Sequence, residues 1–180
     1  MSTFKAYLKK EILESIRQYK YLIIGISILF FAISDPIMMK ALPLILKSQN
    51  YKGIESMLPT QRGLIMQNYL KDLFQIVNIV IVFCVSGTLG KEIGGLKFIF
   101  PYSKGCNPSE MVFAKAVHHI ITTVIMVYLG FLANYYYVGV LFKDGKVNFS
   151  ALLISASLMG LFYAFIISFL TFCSLYALLS

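Results

Sequence analysis

The sequence predicts an all-α fold, a polytopic membrane helix bundle, and three observations lead to that prediction. Hydrophobic residues make up 58% of the 180-residue chain and charged residues only 13%, whereas a soluble domain carries about 25% charged residues. The mean hydropathy is +0.77. The apolar residues also fall in runs long enough to cross a bilayer, which takes roughly 20 residues per helix. Residues 1–180 are therefore expected to form a single transmembrane domain with about four spans.

The first 20 residues have the pattern of an amphipathic helix. Apolar side chains recur at three- and four-residue steps, and charged side chains fall elsewhere on the helix. The apolar set is Phe4, Leu8, Ile12, Ile16 and Tyr19, and the charged set is Lys5, Lys9, Lys10, Glu14 and Arg17. We expect residues 1–20 to lie in the membrane interface, with the basic side towards lipid headgroups. A cytosolic extension of the first span is the alternative.

The four spans are predicted at about residues 21–39, 73–89, 116–142 and 149–176. The first span carries Asp35 and Pro36 near its far end. The proline is expected to bend or end the helix, and Asp35, so close to that end, is expected to reach the interface. Residues 41–70 form a mixed segment with room for short surface helices.

The basic balance, a net charge of +8, indicates lipid anchoring rather than nucleic-acid binding. Basic residues beside spans anchor anionic headgroups and set orientation, and the chain has no basic run or nucleic-acid-binding motif. Nine of the 16 Lys and Arg residues lie in residues 1–20 and 90–115, so both segments are predicted to be cytosolic. The sequence stops in an apolar stretch, at residues 178–180, and we therefore expect it to be incomplete at its C-terminus.

No catalytic or metal-binding constellation is predicted. Cys84, Cys106 and Cys173 are too scattered for a disulfide framework or a ligand cluster. The adjacent His118 and His119 would point about 100° apart on a helix and would not converge on one ion. The sequence also lacks a GxxxxGK[ST] phosphate-binding loop, so we do not expect it to hydrolyse ATP.

Polar and small residues recur along one face of each later span. Such faces are expected to point into a bundle, because helices in lipid associate through small residues and interhelical hydrogen bonds. Either they pack helices together or they line a translocation path, and the sequence favours packing. The candidate path residues are Gln75, Asn78, His119, Asn134, Ser157 and Ser168.

A basic, glycine-containing segment, residues 90–115, separates the second and third predicted spans. It contains no catalytic motif, so we interpret it as the place where a membrane protein meets a soluble partner. In a helix, Ile93, Leu96 and Phe100 would share one face and offer an apolar knob to a groove on that partner. An interfacial loop of the same composition is the alternative.

Four segments of the chain occur in the order found in a known family. The first is the lead-in to the first span at residues 10–21, and the second is residues 36–43, which contain a proline, a lysine and a leucine-proline pair. The third is the approach to the second span, at residues 58–60 and 69–76. The fourth contains Lys91, Glu92, Gly94, Gly95, Leu96, Pro101, Lys104, Gly105 and Lys115. In this ordered set the chain resembles the type-2 permeases of ATP-binding cassette (ABC) transporters, the six-span membrane subunits of bacterial exporters. Two features depart from that family: Leu96 follows Gly95 directly where the family has a threonine, and only about four spans are present.

The resemblance implies a docking element and partners. The chain would be the first part of a six-span permease, and residues 90–115 would be a cytosolic coupling loop. Its ATPase-docking residues would be Glu92, Ile93, Gly94, Gly95, Leu96, Lys97, Phe98, Ile99 and Phe100. ATP and Mg would be bound by a partner ABC ATPase subunit, with no cofactor bound directly by this chain. A second permease copy or homologue would complete a dimer in the bacterial inner membrane, with the N-terminus cytosolic.

The predicted function is that of the membrane-spanning permease subunit of an ATP-driven ABC exporter. It would form the translocation path and couple to a separate ATPase subunit, and would not itself be an enzyme. The alternative is a non-transporting membrane protein, an immunity or scaffold subunit. An intramembrane enzyme is the third choice.

Overall fold

The computed structural model describes residues 3–48, 62–94, 108–142 and 147–179, and every regular element in them is helical. The elements are α1 (Thr3–Arg17), α2 (Lys20–Ser48), α3 (Arg62–Asp72), a π-helical turn (Leu73–Val77), α4 (Asn78–Gly94), α5 (Pro108–Leu141) and α6 (Phe149–Leu179). The helix α3, the π-helical turn and α4 follow one another without a break. Within these residues, four helices are long and apolar enough to cross a membrane. The predicted all-α polytopic bundle is thereby confirmed.

The helices extend beyond the predicted spans. The second crossing helix begins at Arg62, so Lys71 and Asp72 lie inside it rather than before it. The third begins at Pro108, eight residues before the predicted start. Proline suits the first turn of a helix, whose leading N–H groups have no helical acceptor, and Glu110 stabilises the same turn through the helix dipole. Residues 90–94 and 108–115, predicted as loop, are thus helical.

Neighbouring contacts fix the directions of the helices. At the end of the bundle where the chain begins, Tyr21 of α2 lies against His118 of α5. At the opposite end, the guanidinium of Arg62 donates to the carbonyl oxygen of Phe142 at 2.7 Å, where its positive charge also suits the C-terminus of α5. The helices α2 and α5 therefore run in one direction, and the α3–α4 helix and α6 run in the other.

The helix α2 continues through Pro36 and Pro43 instead of ending there. A proline has no N–H, so Pro36 leaves the carbonyl of Ala32 without its helical donor. The side-chain amide of Asn134 on α5 donates to that carbonyl at 3.0 Å, and Asn134 is fully buried. A neighbouring helix thus replaces the missing bond, as membrane helices with internal prolines require.

The short helix α1 meets α2 at an elbow formed by Gln18 and Tyr19. Tyr19 has a φ of 55°, the left-handed conformation in which helices commonly end. On the N-terminal side of the elbow, α1 packs chiefly on α5. The buried face of α1 is polar, with Glu11 and Ser15 against α5, and the predicted apolar stripe is turned outwards at Ile12 and Ile16.

The core lies where α2, the α3–α4 helix, α5 and α6 meet. Its largest fully buried side chains include Tyr69, Phe131 and Tyr163, and the rings of Tyr69 and Phe131 meet edge to face with centroids 5.3 Å apart. Tyr163 donates a hydrogen bond at 2.7 Å to the carbonyl oxygen of Leu73, at the start of the π-helical turn. Packing and such interhelical bonds hold a bundle together in lipid, where apolar burial alone gives no preference.

Candidate functional site

Three of the nine predicted docking residues are described, and they lie at the α1 end of the bundle. Glu92, Ile93 and Gly94 form the last residues of α4. The other six, Gly95, Leu96, Lys97, Phe98, Ile99 and Phe100, lie outside the described residues, as does the rest of the chain up to residue 107. The described helices nevertheless fix where this connection leaves and rejoins the bundle, at the end of α4 and the start of α5.

A buried polar cluster occupies the same end, between α1, α2 and α5. This elbow cluster consists of Glu11, Ser15, Tyr21, Lys115 and His118. The Glu11 Oε2 and Lys115 Nζ atoms are 3.7 Å apart, and their side chains are only 6% and 3% exposed. The hydroxyl groups of Tyr21 and Ser15 both contact His118 Nε2, the second at 3.3 Å. Ion pairing and hydrogen bonding therefore hold α1 onto α5 where both charges are out of solvent.

A second set of contacts fixes the start of α1. The backbone N–H of Phe4, in the first turn of α1, donates to Glu110 Oε2 at 3.1 Å. The Phe4 ring also packs against that of Phe113, with centroids 5.9 Å apart. Successive residues of α1 thus contact successive residues of α5, so α1 runs alongside the first turns of that helix.

Sequence reasoning missed the partner of Lys115. Lys115 is the last residue of the segment that was predicted to be a loop. Glu11, about one hundred positions earlier in the chain, supplies its acidic partner. Its i, i+4 spacing with Ser15 on an otherwise amphipathic helix was the available signal, because two polar residues so spaced share one face.

A groove between α2 and the α3–α4 helix contains two carboxyl groups. This acidic groove, of about 550 Å³, is lined by the side chains of Asp35 and Asp72, together with Ser34, Asn68, Lys71 and Gln75 and the apolar Phe30, Phe31, Met38 and Met39. The two carboxyl groups lie within electrostatic contact, and Asp35 Oδ2 is buried without a hydrogen-bond partner.

The expectation that Asp35 reaches the membrane interface stays a prediction, and the structure shows instead where Asp35 lies along α2. Because α2 continues past Pro36, the crossing segment extends to Pro43 and Asp35 lies about 12 Å from its end at 1.5 Å per residue. Asp72 was overlooked because the second span was predicted to begin one residue after it. Acidic residues inside crossing helices are costly and commonly mark functional surfaces.

The six candidate path residues do not line one cavity. Gln75 alone among them borders the acidic groove. Asn134 and His119 are buried, the first between α2 and α5 and the second near the elbow cluster. Asn78 is half-buried, and its side-chain oxygen has no hydrogen-bond partner.

The two serines of the set lie on the outer surface of α6. Ser157 bonds to the carbonyl of Leu153 and to the hydroxyl of Tyr128, and Ser168 bonds to the carbonyl of Ala164. Their hydroxyl groups are thus bonded within α6 and, for Ser157, also to the neighbouring α5.

The histidine pair is used in packing. The ring centroids of His118 and His119 are 5.7 Å apart, and both rings border Tyr21. Within the described residues, no group of three or more His, Cys, Asp or Glu side chains is placed to hold a metal ion.

Comparison with known proteins gave no relative. No protein-family model, no curated protein and no solved structure matches the chain.

Proposed function

We propose that the chain is the membrane-spanning permease subunit of an ATP-driven ABC exporter, and that a separate ATPase subunit docks on the connection between α4 and α5. The ATPase would bind ATP and Mg, and the permease would convert its movement into rearrangement of the bundle. The proposal places the protein in the bacterial inner membrane with the N-terminus cytosolic. Its support is the ordered resemblance to type-2 permeases together with the geometry at the α1 end.

The observation that carries the proposal is the extended and braced start of α5. Its 34 residues span about 51 Å at 1.5 Å per residue, against the roughly 30 Å of a bilayer core. The excess falls at the α1 end, where Glu110 and Lys115 are paired with α1. A connection mounted on such a projecting helix is suited to meet a soluble partner.

The elbow cluster would allow the projecting start of α5 to move α1 and α2 with it. A force applied to the connection would pass into α5, and α1 would share it because Lys115 and His118 tie the two helices together. The elbow at Tyr19 would then transmit it to α2. Two helices that cross the membrane in the same direction would move as one unit, as a rigid-body mechanism requires.

The acidic groove is the surface of this chain best suited to a translocation path. It combines charged and amide side chains with an apolar wall, and it opens on the side of the α2 and α3–α4 pair. An open groove needs a further element to enclose it, which a second permease copy or homologue would supply. In this proposal Gln75 belongs to the path, and Asp35 and Asp72 join it.

The test uses the chain with its cognate ATPase in proteoliposomes. Phe98→Asp and Ile99→Asp should abolish ATP-driven export, because each places a charge within the apolar segment that is expected to dock on the ATPase. The matched control, Phe149→Asp, changes an exposed phenylalanine at the opposite end of the bundle and should export normally. Normal export by both docking variants would overturn the proposal. Partner binding without any ATP-driven transport would favour the alternative, a non-transporting immunity or scaffold protein.

A further inference from the structure

A second groove lies beside the elbow, between α1 and α5. This elbow groove, of about 350 Å³, is lined by Leu8, Ile12 and Ile16 of α1 and by Ile121 of α5, with Tyr21 and His118 at its floor. Ile12, Ile16 and Ile121 are 42%, 65% and 52% exposed. The groove is thus an apolar channel that opens outwards at the level where the crossing part of α2 begins.

Two lysines lie on the same face of α1 as two isoleucines of the groove. Lys5, Lys9, Ile12 and Ile16 follow one another at four-, three- and four-residue steps, so they share one face of α1. All four are exposed. Lys5 and Lys9 form no ion pair with a described residue, whereas the neighbouring Lys10 lies 3.4 Å from Glu14 and 3.5 Å from Glu11. The positive charge beside the groove is therefore uncompensated.

The order of these residues along the membrane normal follows from the contacts of α1. Phe4 lies at the level of Glu110 and Ser15 at the level of His118, so the lysines lie farther from the crossing segment than the isoleucines. The cationic groups therefore lie farthest from the crossing segment, and the apolar groups follow towards it. Basic residues at an anionic membrane surface attract its lipids.

We propose that the elbow groove binds one anionic phospholipid, with its phosphate beside Lys5 and Lys9 and an acyl chain along Ile12, Ile16 and Ile121. The occupant is a lipid rather than a peptide because the lining offers a continuous apolar track with positive charge at one end only. The lipid would fill the angle between α1 and α5 beside the elbow cluster. The site does not depend on whether the bundle transports anything.

The absence of tryptophan makes the site directly measurable. A single reporter, Ile121→Trp, would line the groove, and its fluorescence is quenched by lipids with brominated acyl chains. The probes are phosphatidylcholine vesicles with a minor fraction of phosphatidylglycerol, with the bromines on one lipid or on the other. Comparing the two gives the preference for the anionic lipid next to the reporter.

A matched reporter, Phe165→Trp, gives the same lipid preference for a surface that faces bulk lipid. Phe165 is 69% exposed on α6, and the neighbouring contacts of Gly160 with Val124 and of Ser157 with Tyr128 place it close to the depth of Ile121. Both reporters replace exposed side chains, so neither should disturb the fold.

The expected preference for phosphatidylglycerol at Ile121→Trp is about tenfold over the Phe165→Trp value. One lysine near an anionic surface raises the preference for anionic lipid roughly fivefold. Screening by salt removes part of the combined effect of two lysines. Lys5→Gln with Lys9→Gln should abolish the preference, and the charge-matched Lys10→Gln should keep it. Equal values at the two reporters, or a preference that survives loss of both lysines, would overturn the proposal. Weaker quenching by both lipids at Ile121→Trp than at Phe165→Trp would also overturn it, because a peptide or protein segment would then occupy the groove.

Discussion

Replacing Lys115 by methionine should loosen α1 from α5, because it leaves the Glu11 carboxylate buried beside an apolar side chain. The two charged groups lie 3.7 Å apart and are nearly inaccessible to solvent. At an effective dielectric constant of about 20 their attraction is roughly 4–5 kcal/mol. Much of this offsets the desolvation of the two ions, but loss of one partner alone leaves the other uncompensated, at a cost of about 3–5 kcal/mol.

Lys10 reduces that cost. Its Nζ atom lies 3.5 Å from Glu11 Oε1, and its side chain is 45% exposed. A pair so open to solvent contributes at most about 1 kcal/mol. The expected loss for Lys115→Met is therefore about 2–4 kcal/mol in the free energy that holds α1 closed. At about 1.4 kcal/mol per factor of ten, this is roughly a 30- to 700-fold increase in the population of the open state.

Amide hydrogen exchange of residues 3–17, measured by mass spectrometry in lipid nanodiscs, reports this opening directly. Exchange should accelerate by the same factor in Lys115→Met and should also accelerate in Glu11→Gln. The double variant leaves neither member of the ion pair charged. Its exchange rate should therefore lie within about tenfold of the rate in the original chain. Lys10→Met, the control, should change exchange by less than about fivefold. Unchanged exchange in both single variants, or a double variant that exchanges faster than either, would refute the assignment of the pair as the clamp on α1.

Three further predictions concern the core and are measured by unfolding titrations with dodecyl sulfate, followed by circular dichroism. Gly130→Ala should cost about 1–3 kcal/mol, because its methyl group would come within 3.0 Å of both the Tyr69 hydroxyl and the Ile28 side chain; it should cost much less in a background with both Tyr69→Phe and Ile28→Ala, and an equal cost in that background would contradict the clash. Asn134→Leu should cost about 1–2 kcal/mol and much less in a Pro36→Ala background, since the proline creates the free carbonyl that Asn134 satisfies; equal losses in both backgrounds would contradict this compensation. Tyr163→Phe should cost about 0.6–1.7 kcal/mol and speed amide exchange at the π-helical turn that its hydroxyl contacts; unaltered exchange there would show that this bond does not hold the turn.

Much of the fold was predictable because helix formation in a membrane is decided locally. Each crossing helix satisfies its own backbone hydrogen bonds, so length and apolar composition are sufficient to locate it. The bounds were less accurate where polar residues continue a helix beyond the apolar run. Asp72 and Lys71 belong to the second crossing helix, and residues 108–115 belong to the third, although both stretches were assigned elsewhere from their polarity.

The candidate sites were less predictable, because each brings together residues that are far apart in the chain. Asp35 meets Asp72 because α2 packs beside the α3–α4 helix, and α2 continues past Pro36 with the help of a side chain on α5. The predicted first span ends at about residue 39, whereas α2 continues to Ser48. The candidate path residues were chosen as polar groups within apolar runs, a rule that does not separate a satisfied serine on a surface from a residue in a groove.

The sequence by itself determined that this is a membrane protein of crossing helices with an amphipathic helix before the first, since composition and periodicity act over neighbouring residues. Only the tertiary structure decided which faces meet. It turned the polar face of α1 towards α5, paired Glu11 with Lys115, and placed two acidic residues in one groove. The physical reason is that burial of a charge is favourable only beside its partner, and the position of that partner depends on helix packing across the whole bundle.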